Sequence, residues 1–225
     1  ANQSNAFIKY YGHVSNQTGT DLKRTTSDGG YIMVGSTSSY SIGDESDIFV
    51  VKTDSLGNEE WSTALGRPPE DGSGSLSGKY VHYDEEGVSI VILPDGLGYA
   101  IACNRTYVEY ASSSSTEKIT DRWSKVVMYQ LAPVTGAATS TNGSELRANT
   151  EFSDIVADMK IDTTVSGVPY VYVLTGHTTD VNTSKPSYSS FITQDKFDIF
   201  TMVLGSDFMP DPFFTPVYGL NGEDI

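Results

Sequence analysis

Short apolar runs alternate with polar, glycine-containing turns along the chain, and three of these runs are similar to one another. They start at Tyr31, Tyr99 and Tyr172, at spacings of 68 and 73 residues, and they read DGGYIMVGST, DGLGYAIACN and GVPYVYVLTG. Glycine suits such turns because it adopts positive φ at no steric cost. Self-similarity at a fixed period predicts a repeat architecture.

Each repeat is predicted to contain four antiparallel strands. The strand before the turn is predicted at 21–26, 88–93 and 154–161, and the second strand starts at each of the three tyrosines. The third strand is largely apolar, which is typical of a strand buried on both faces; it is predicted at 47–52, 125–130 and 198–203. The fourth is predicted at 60–66 and 214–219, with a less regular candidate at 138–146 and a further copy at 7–12.

Four antiparallel strands per repeat are typical of a propeller blade. No segment keeps a 3.6-residue apolar period for three turns, so a helix-rich fold is excluded. The predicted fold is all-β and β-propeller-like, a single domain over 1–225 with four-stranded antiparallel blades of about 70 residues. The predicted units are 7–66, 67–146 and 147–219, with 220–225 as the start of a further repeat.

Three units and a partial fourth do not close a ring, because propellers typically contain four to eight blades. We therefore expect the native chain to continue beyond Ile225. The alternative is an open or two-layer β assembly that a partner chain seals. The polar start at Ala1 indicates a mature or trimmed N-terminus from which a targeting segment has been removed.

The 225 residues carry a net charge of −15, with 38% hydrophobic and 19% charged residues, values that suit a folded β domain rather than a disordered tail. Such a negative field disfavours nucleic acid and anionic membrane surfaces and attracts cations and basic peptides. The single cysteine, Cys103, lies in an apolar run and is predicted to be a core residue. No apolar stretch approaches the length of a membrane-spanning helix.

The segments SDGGYIMVGSTS and GDESDIFVVKTDSLGNEEW resemble the propeller-type repeats of Bacteroidetes cell-surface proteins and lipoproteins. The similarity is close over residues 7–66, whereas the second and third copies lose the lysine and tryptophan segment. The resemblance implies export to the outer membrane or cell surface, and a binding or scaffold role rather than catalysis. It also implies partnership with an outer-membrane transporter of the SusC/SusD kind, with membrane contact only through a lipid anchor that this sequence does not contain.

The same resemblance indicates O-glycosylation at Ser55 and Thr163, which lie in the tripeptides Asp54-Ser55-Leu56 and Asp162-Thr163-Thr164. The competing interpretation is that both are ordinary turn residues.

Two groups of side chains are candidate binding residues. Tyr80, Tyr83, Tyr107 and Tyr110 are placed in or beside loops, where exposed tyrosines suit peptide or glycan contacts or pack over blade edges. Asp44, Glu45 and Asp47 lie between two strands and are candidate cation ligands. A further acidic cluster, residues 84–86, is predicted to be a solvated loop.

No catalytic motif, nucleotide fingerprint or metal-ligand spacing is found, and the three histidines, His13, His82 and His177, are isolated from one another. The leading hypothesis is therefore a non-enzymatic surface protein that binds a protein partner and needs no cofactor or metal. Two alternatives stay open: a secreted glycan-active enzyme whose carboxylates converge at the propeller mouth, and a module that captures peptide or glycan itself.

Overall fold

The computed structural model describes residues 6–12, 14–39, 45–70, 80–110, 119–141, 143–146, 153–179, 197–208 and 217–218. Within these ranges the chain forms twelve strands and one 3-10 turn, Pro94–Gly96. The strands are β1 (Gln17–Arg24), β2 (Tyr31–Thr37), β3 (Asp47–Thr53), β4 (Glu59–Leu65), β5 (Tyr80–Ile92), β6 (Tyr99–Tyr110), β7 (Ile119–Leu131), β8 (Ser144–Leu146), β9 (Ser153–Asp162), β10 (Val171–Thr179), β11 (Phe197–Leu204) and β12 (Val217–Tyr218). The prediction of an all-β fold is confirmed.

The strands form three separate four-stranded antiparallel sheets, each joined in sequence order. Sheet 1 contains β1–β4, sheet 2 contains β5–β8 and sheet 3 contains β9–β12. Each sheet lies inside one of the three units expected from the repeat. The segment 220–225, expected to start a further repeat, lies outside the described residues.

Two strand predictions need correction. Residues 7–12 were expected to repeat the fourth strand, but they form no strand in the structure. The candidate fourth strand at 138–146 is shorter than expected: it is confined to Ser144–Leu146, and Ala138 makes only an isolated bridge to Leu131.

Sheet 2 lies between sheets 1 and 3. Alternate residues of its strands point to opposite faces, so each face packs against a different neighbouring sheet. In β6, Ile101 and Cys103 pack against sheet 1, whereas Ala100 and Ala102 pack against sheet 3. We call the face of a sheet that meets the preceding sheet its leading face, and the opposite face its trailing face. Full burial of a large apolar side chain contributes about 1.5–3 kcal/mol, so these two clusters hold the three sheets together.

The first strands of the sheets are neighbours, since β1 contacts β5 and β5 contacts β9. In each first strand the pairing with the second strand skips one residue, at Thr20, Val88 and Ala157 respectively. The residue after the skipped one links the sheets. Asp21 Oδ2 accepts a hydrogen bond from the Ile90 N–H at 3.0 Å. The Ser89 hydroxyl lies 3.2 Å from Asp21 Oδ2 and 3.0 Å from Asp158 Oδ1.

Sheet 2 is longer than sheet 1. Strands β5, β6 and β7 have 13, 12 and 13 residues, whereas β1, β2 and β3 have 8, 7 and 7. Gly87 of β5 lies against Val34 and Ile48, so the part of sheet 2 before Gly87 extends past the end of sheet 1. We call this part, residues 80–86, 104–110 and 119–126, the overhang.

Candidate functional site

A cleft of about 600 Å³ opens where the overhang passes the end of sheet 1. The start of β3, the end of β4, the connection after β4 and one residue of β5 line it. The lining residues are Glu45, Asp47, Phe49, Ser62, Thr63, Ala64, Gly66, Arg67, Pro68, Pro69 and Tyr83. It therefore combines carboxylates and one arginine with apolar walls, as ligand clefts commonly do.

The cleft exists because the free edge of β5 is covered only in part. The Glu85 N–H donates to the Ser46 carbonyl at 2.7 Å, and the Glu70 N–H donates to the Val81 carbonyl at 2.9 Å. Between these two contacts run Pro68 and Pro69, which have no N–H to donate to the strand edge. The segment before β5 therefore makes no backbone hydrogen bond to the strand at Pro68 and Pro69 and contacts it again at Glu70. The gap between this segment and β5 forms the cleft.

A buried ion pair lies next to the residues that line the cleft. Arg105 and Glu85 lie opposite each other on β6 and β5, and each side chain is 1% exposed. Arg105 Nε donates to Glu85 Oε1 at 2.5 Å, and its Nη2 donates to the Tyr129 hydroxyl at 2.9 Å. Its Nη1 donates to Glu145 Oε1 at 3.3 Å, so the guanidinium fork is well occupied.

The network fixes the position of Arg67. Glu85 Oε2 accepts the backbone N–H of Arg67 at 2.9 Å. The Arg67 guanidinium lies 4.8 Å from the ring centroid of Tyr83, pairs with Glu70 and reaches Glu145 at 3.5 Å. Its charge is therefore balanced by neighbouring carboxylates, and Arg67 serves as a wall of the cleft.

Asp47 differs from these groups because it forms no hydrogen bond or ion pair with any described residue. Burial, and then the negative charges of Glu85 and Glu45, raise the pKa of the Asp47 carboxyl to about 6. Asp47 Oδ1 and Glu85 Oε2 lie 2.0 Å and 2.7 Å from the point that a Cβ would occupy at Gly66. Any side chain at position 66 would therefore have to displace the Asp47 carboxylate, and that of Glu85 with it, from their present positions.

Glu45 also lines the cleft, with a side chain that is 16% exposed. Its Oε1 pairs with His82 Nδ1, while Oε2 is buried and has no hydrogen-bond partner. The cleft thus holds two carboxylates, Asp47 and Glu45, with unused capacity to accept hydrogen bonds from a cationic group.

The four candidate tyrosines all lie on the overhang, but not as expected. Tyr83 and Tyr107 were placed in or beside loops; they lie inside strands, 3% and 7% exposed, because their rings pack edge-to-face at 5.1 Å. Tyr107 also stacks on Trp123 at 4.9 Å. Tyr80 and Tyr110 are cross-strand partners at the far end of β5 and β6. Of the four, only Tyr83 lines the cleft.

The acidic candidates divide in the same way. Glu45 and Asp47 line the cleft, and Asp44 lies outside the described residues. The expectation that residues 84–86 form a solvated loop is wrong, since they belong to β5 and Glu85 is buried. Among the described residues no group of three or more His, Cys, Asp or Glu side chains is placed to hold a metal ion.

Ser55 and Thr163 are exposed residues of turns that follow β3 and β9. Asp54 Oδ1 accepts the Leu56 N–H at 2.8 Å, and Asp162 Oδ1 accepts the Thr164 N–H at 2.7 Å. The preceding aspartate stabilises the turn in both places, as the interpretation as turn residues requires. Modification of the two hydroxyl groups stays a prediction.

Sequence reasoning missed Arg67, Arg105 and Glu145. One signal was present: Glu85 and Arg105 stand opposite each other when the hairpin of β5 and β6 is extended past Gly87. Cys103, in contrast, is buried as predicted, 1% exposed, and its Sγ donates to the Val127 carbonyl.

Comparison with known protein families and with curated proteins finds no match for this chain. Within the described part of the chain, no helix reaches the length and hydropathy that a membrane span requires.

Proposed function

We propose that this chain is a non-enzymatic β-propeller-type binding protein, and that it engages a protein partner by holding a basic side chain at Asp47. The observation that carries the proposal is the carboxyl of Asp47, which lines the cleft without a hydrogen-bond or ion-pair partner among the described residues. A lysine or arginine from a partner would relieve the repulsion between Asp47, Glu45 and Glu85, because an opposite charge favours the ionised form of a carboxyl.

The propeller part of the proposal is supported by the regularity of the three sheets. Each is a meander of four strands, and neighbouring sheets pack face to face in chain order. The skipped residue recurs at the same place in each first strand, one position before the residue that links the sheets. Adjacent first strands and face-to-face sheets are the arrangement of propeller blades.

The binding part is supported by the walls of the cleft. Phe49, Pro68 and Pro69 are apolar and Tyr83 is aromatic, which suits the methylene stem of a lysine or arginine whose charged end reaches Asp47. The net charge of −15 would also attract a basic partner and speed its approach at low salt. The charge of Arg67 does not oppose this, since Glu70 and Glu145 balance it.

The partner and location follow from the repeat rather than from the cleft. The resemblance of residues 7–66 to Bacteroidetes surface proteins supports an extracytoplasmic location at the outer membrane. On that basis we propose that the partner is an outer-membrane nutrient transporter of the SusC/SusD kind and that a lipid anchor tethers the protein beside it.

A pull-down from native membranes in mild detergent tests this function. Tagged wild-type protein should recover a stoichiometric outer-membrane transporter, and Asp47→Asn should recover much less of it. Asp95→Asn is the matched control, because Asp95 is an exposed carboxylate in the turn Pro94–Gly96, away from the cleft. Recovery of the protein alone, or equal recovery by all three proteins, would contradict the proposal.

One observation favours a second candidate, a glycan-active enzyme. A carboxyl with a pKa of about 6 beside a second carboxylate resembles the general acid of a glycosidase, which is held protonated near neutral pH. Here Asp47 would be the acid and Glu45 the second carboxylate. Release of reducing ends from a panel of surface glycans by wild type, lost in both Asp47→Asn and Glu45→Gln, would establish this candidate; no release by wild type would remove it.

A further inference from the structure

The trailing face of sheet 3 has the composition of a sheet-packing face, yet no described strand packs on it. The residues on it are Val173, Thr175, Ile199, Thr201 and Val203. All five are partly or fully exposed, while the residues between them, which face sheet 2, are buried. Ile199 is 65% exposed.

The equivalent residues of the other two sheets are buried, as a comparison of the three repeats shows. Ile199 corresponds to Ile48 in sheet 1 and to Val126 in sheet 2, and these two side chains are 0% and 1% exposed. In both cases the following sheet covers them. The trailing face of sheet 3 therefore has the same construction as two faces that are covered by a sheet.

The opposite end of the molecule carries the complementary face. On the leading face of sheet 1, Met33 and Phe49 occupy the positions that Ile101 and Val127 occupy in sheet 2, where they pack on the preceding sheet. Grooves of about 190 Å³ and 130 Å³ run along this face, and Leu22 beside them is 53% exposed.

A contact of Phe7 identifies the leading face of sheet 1 more closely. The Phe7 ring lies 6.2 Å from that of Tyr31 and packs on Gly57, a glycine with φ of 76°. Trp61 makes the same contacts one sheet later: its ring lies 6.0 Å from that of Tyr99 and packs on Gly136, with φ of 67°. Phe7 thus takes the place on sheet 1 that a residue of the preceding sheet takes on sheet 2.

We propose that a second copy of this chain covers these end faces, with sheet 3 of each copy packed on sheet 1 of the other. The chain carries the two faces of one sheet-to-sheet contact, one at each end, and Phe7 of the same chain already covers part of the sheet 1 face. A head-to-tail contact closes into a ring when its rotation allows. Packing of one sheet on the next in this way is the arrangement of propeller blades, so the proposal rests on the propeller part of the proposed function.

Sedimentation velocity on the wild type and two variants tests the contact. The wild type should be a dimer, and Ile199→Arg and Leu22→Arg should each weaken association by roughly tenfold or more, because an arginine would be buried without a partner. Both positions are more than half exposed in the single chain, so the unfolding midpoint of each variant should stay near that of the wild type. Val134→Arg is the control, since Val134 is 81% exposed in the turn after β7, away from both faces.

Mixing the two variants separates a head-to-tail contact from any symmetric one. Ile199→Arg keeps an intact sheet 1 end and Leu22→Arg keeps an intact sheet 3 end, so the mixture should form a one-to-one dimer more tightly than either variant dimerises alone. A monomeric wild type would overturn the proposal and leave the face to another segment or partner, as would a dimer unaffected by Ile199→Arg or a mixture that stays monomeric. Asp47→Asn should remain dimeric, so failure of the cleft and failure of this contact are distinguishable.

Discussion

The two junctions between neighbouring sheets use equivalent strand positions but differ in their chemistry. Between sheets 2 and 3 the contact is mainly apolar, with Met128, Met159 and Phe200 at most 2% exposed. Between sheets 1 and 2 an equally apolar contact is continued by the charged network around Arg105 and by the cleft. The strands of sheet 2 are longer than those of sheet 1 and extend past its end. Polar groups therefore occupy the region of sheet 2 that lies beyond the apolar core shared by the two sheets. A binding site can thus arise from a difference in strand length.

The largest expected effect is at the charged junction. Arg105→Leu leaves Glu85 buried without its cation and should lower the free energy of unfolding by about 3–5 kcal/mol, measured by urea denaturation. The double variant with Glu85→Leu should recover most of that loss, because no charge is then left unpaired. If Arg105→Leu alone cost no more than an exposed ion pair does, the buried network beside this junction would not contribute to stability.

An apolar truncation probes the other junction. Met159 is 0% exposed between sheets 2 and 3, and Met159→Ala should cost about 2–4 kcal/mol through lost burial and the cavity left behind. The pKa of Asp47, followed by NMR of its side-chain carboxyl, should not change. A shift in the pKa of Asp47 would show that the two junctions are coupled rather than independent.

The link between the first strands should contribute less. Asp21 accepts hydrogen bonds from the Ile90 N–H and lies within reach of the Ser89 hydroxyl, and Asp21→Ala should cost about 1–3 kcal/mol. Lys23→Ala is the control, because it removes only the partly exposed ion pair with Asp21 and should cost less than about 1 kcal/mol. Equal losses would mean that the ion pair, rather than the contact between sheets, makes Asp21 important.

The smallest effect has the opposite sign. The raised pKa of Asp47 means that folding penalises its ionised form, so the penalty is absent below the ordinary pKa of 3.8 and complete above about 6. Asp47→Asn should therefore raise the stability by about 1–2 kcal/mol at pH 7 and leave it unchanged near pH 4. Denaturation curves at the two pH values measure this, and a stabilisation that is equal at both would contradict the raised pKa.

The repeat made much of the strand layout predictable. The turn glycines and the tyrosines that start β2 and β6 fixed the centre of each hairpin, and the apolar run 47–52 correctly indicated a strand buried on both faces. The reason is physical: side-chain alternation and turn chemistry are local, so a single sequence displays them.

The overhang could not be predicted in the same way. Its part of β5 carries Asp84, Glu85 and Glu86, which look like a solvated loop until Arg105 is known to lie opposite Glu85. The cleft also depends on Gly66, Arg67 and the two prolines that follow. These residues contact β5 only in the folded structure, at positions distant in the sequence. Pairing between distant charges, unlike alternation within a strand, leaves little local trace.

Calorimetric titration with tetralysine tests whether Asp47 holds a basic group in the cleft. At pH 7, one unit above the Asp47 pKa of about 6, the wild type should bind the peptide, and at pH 5 the binding should weaken several-fold because Asp47 becomes protonated. Asp47→Asn should bind weakly at both pH values, while Asp95→Asn should behave as the wild type. Equal binding by wild type and Asp47→Asn at pH 7, or no binding by either, would contradict the claim.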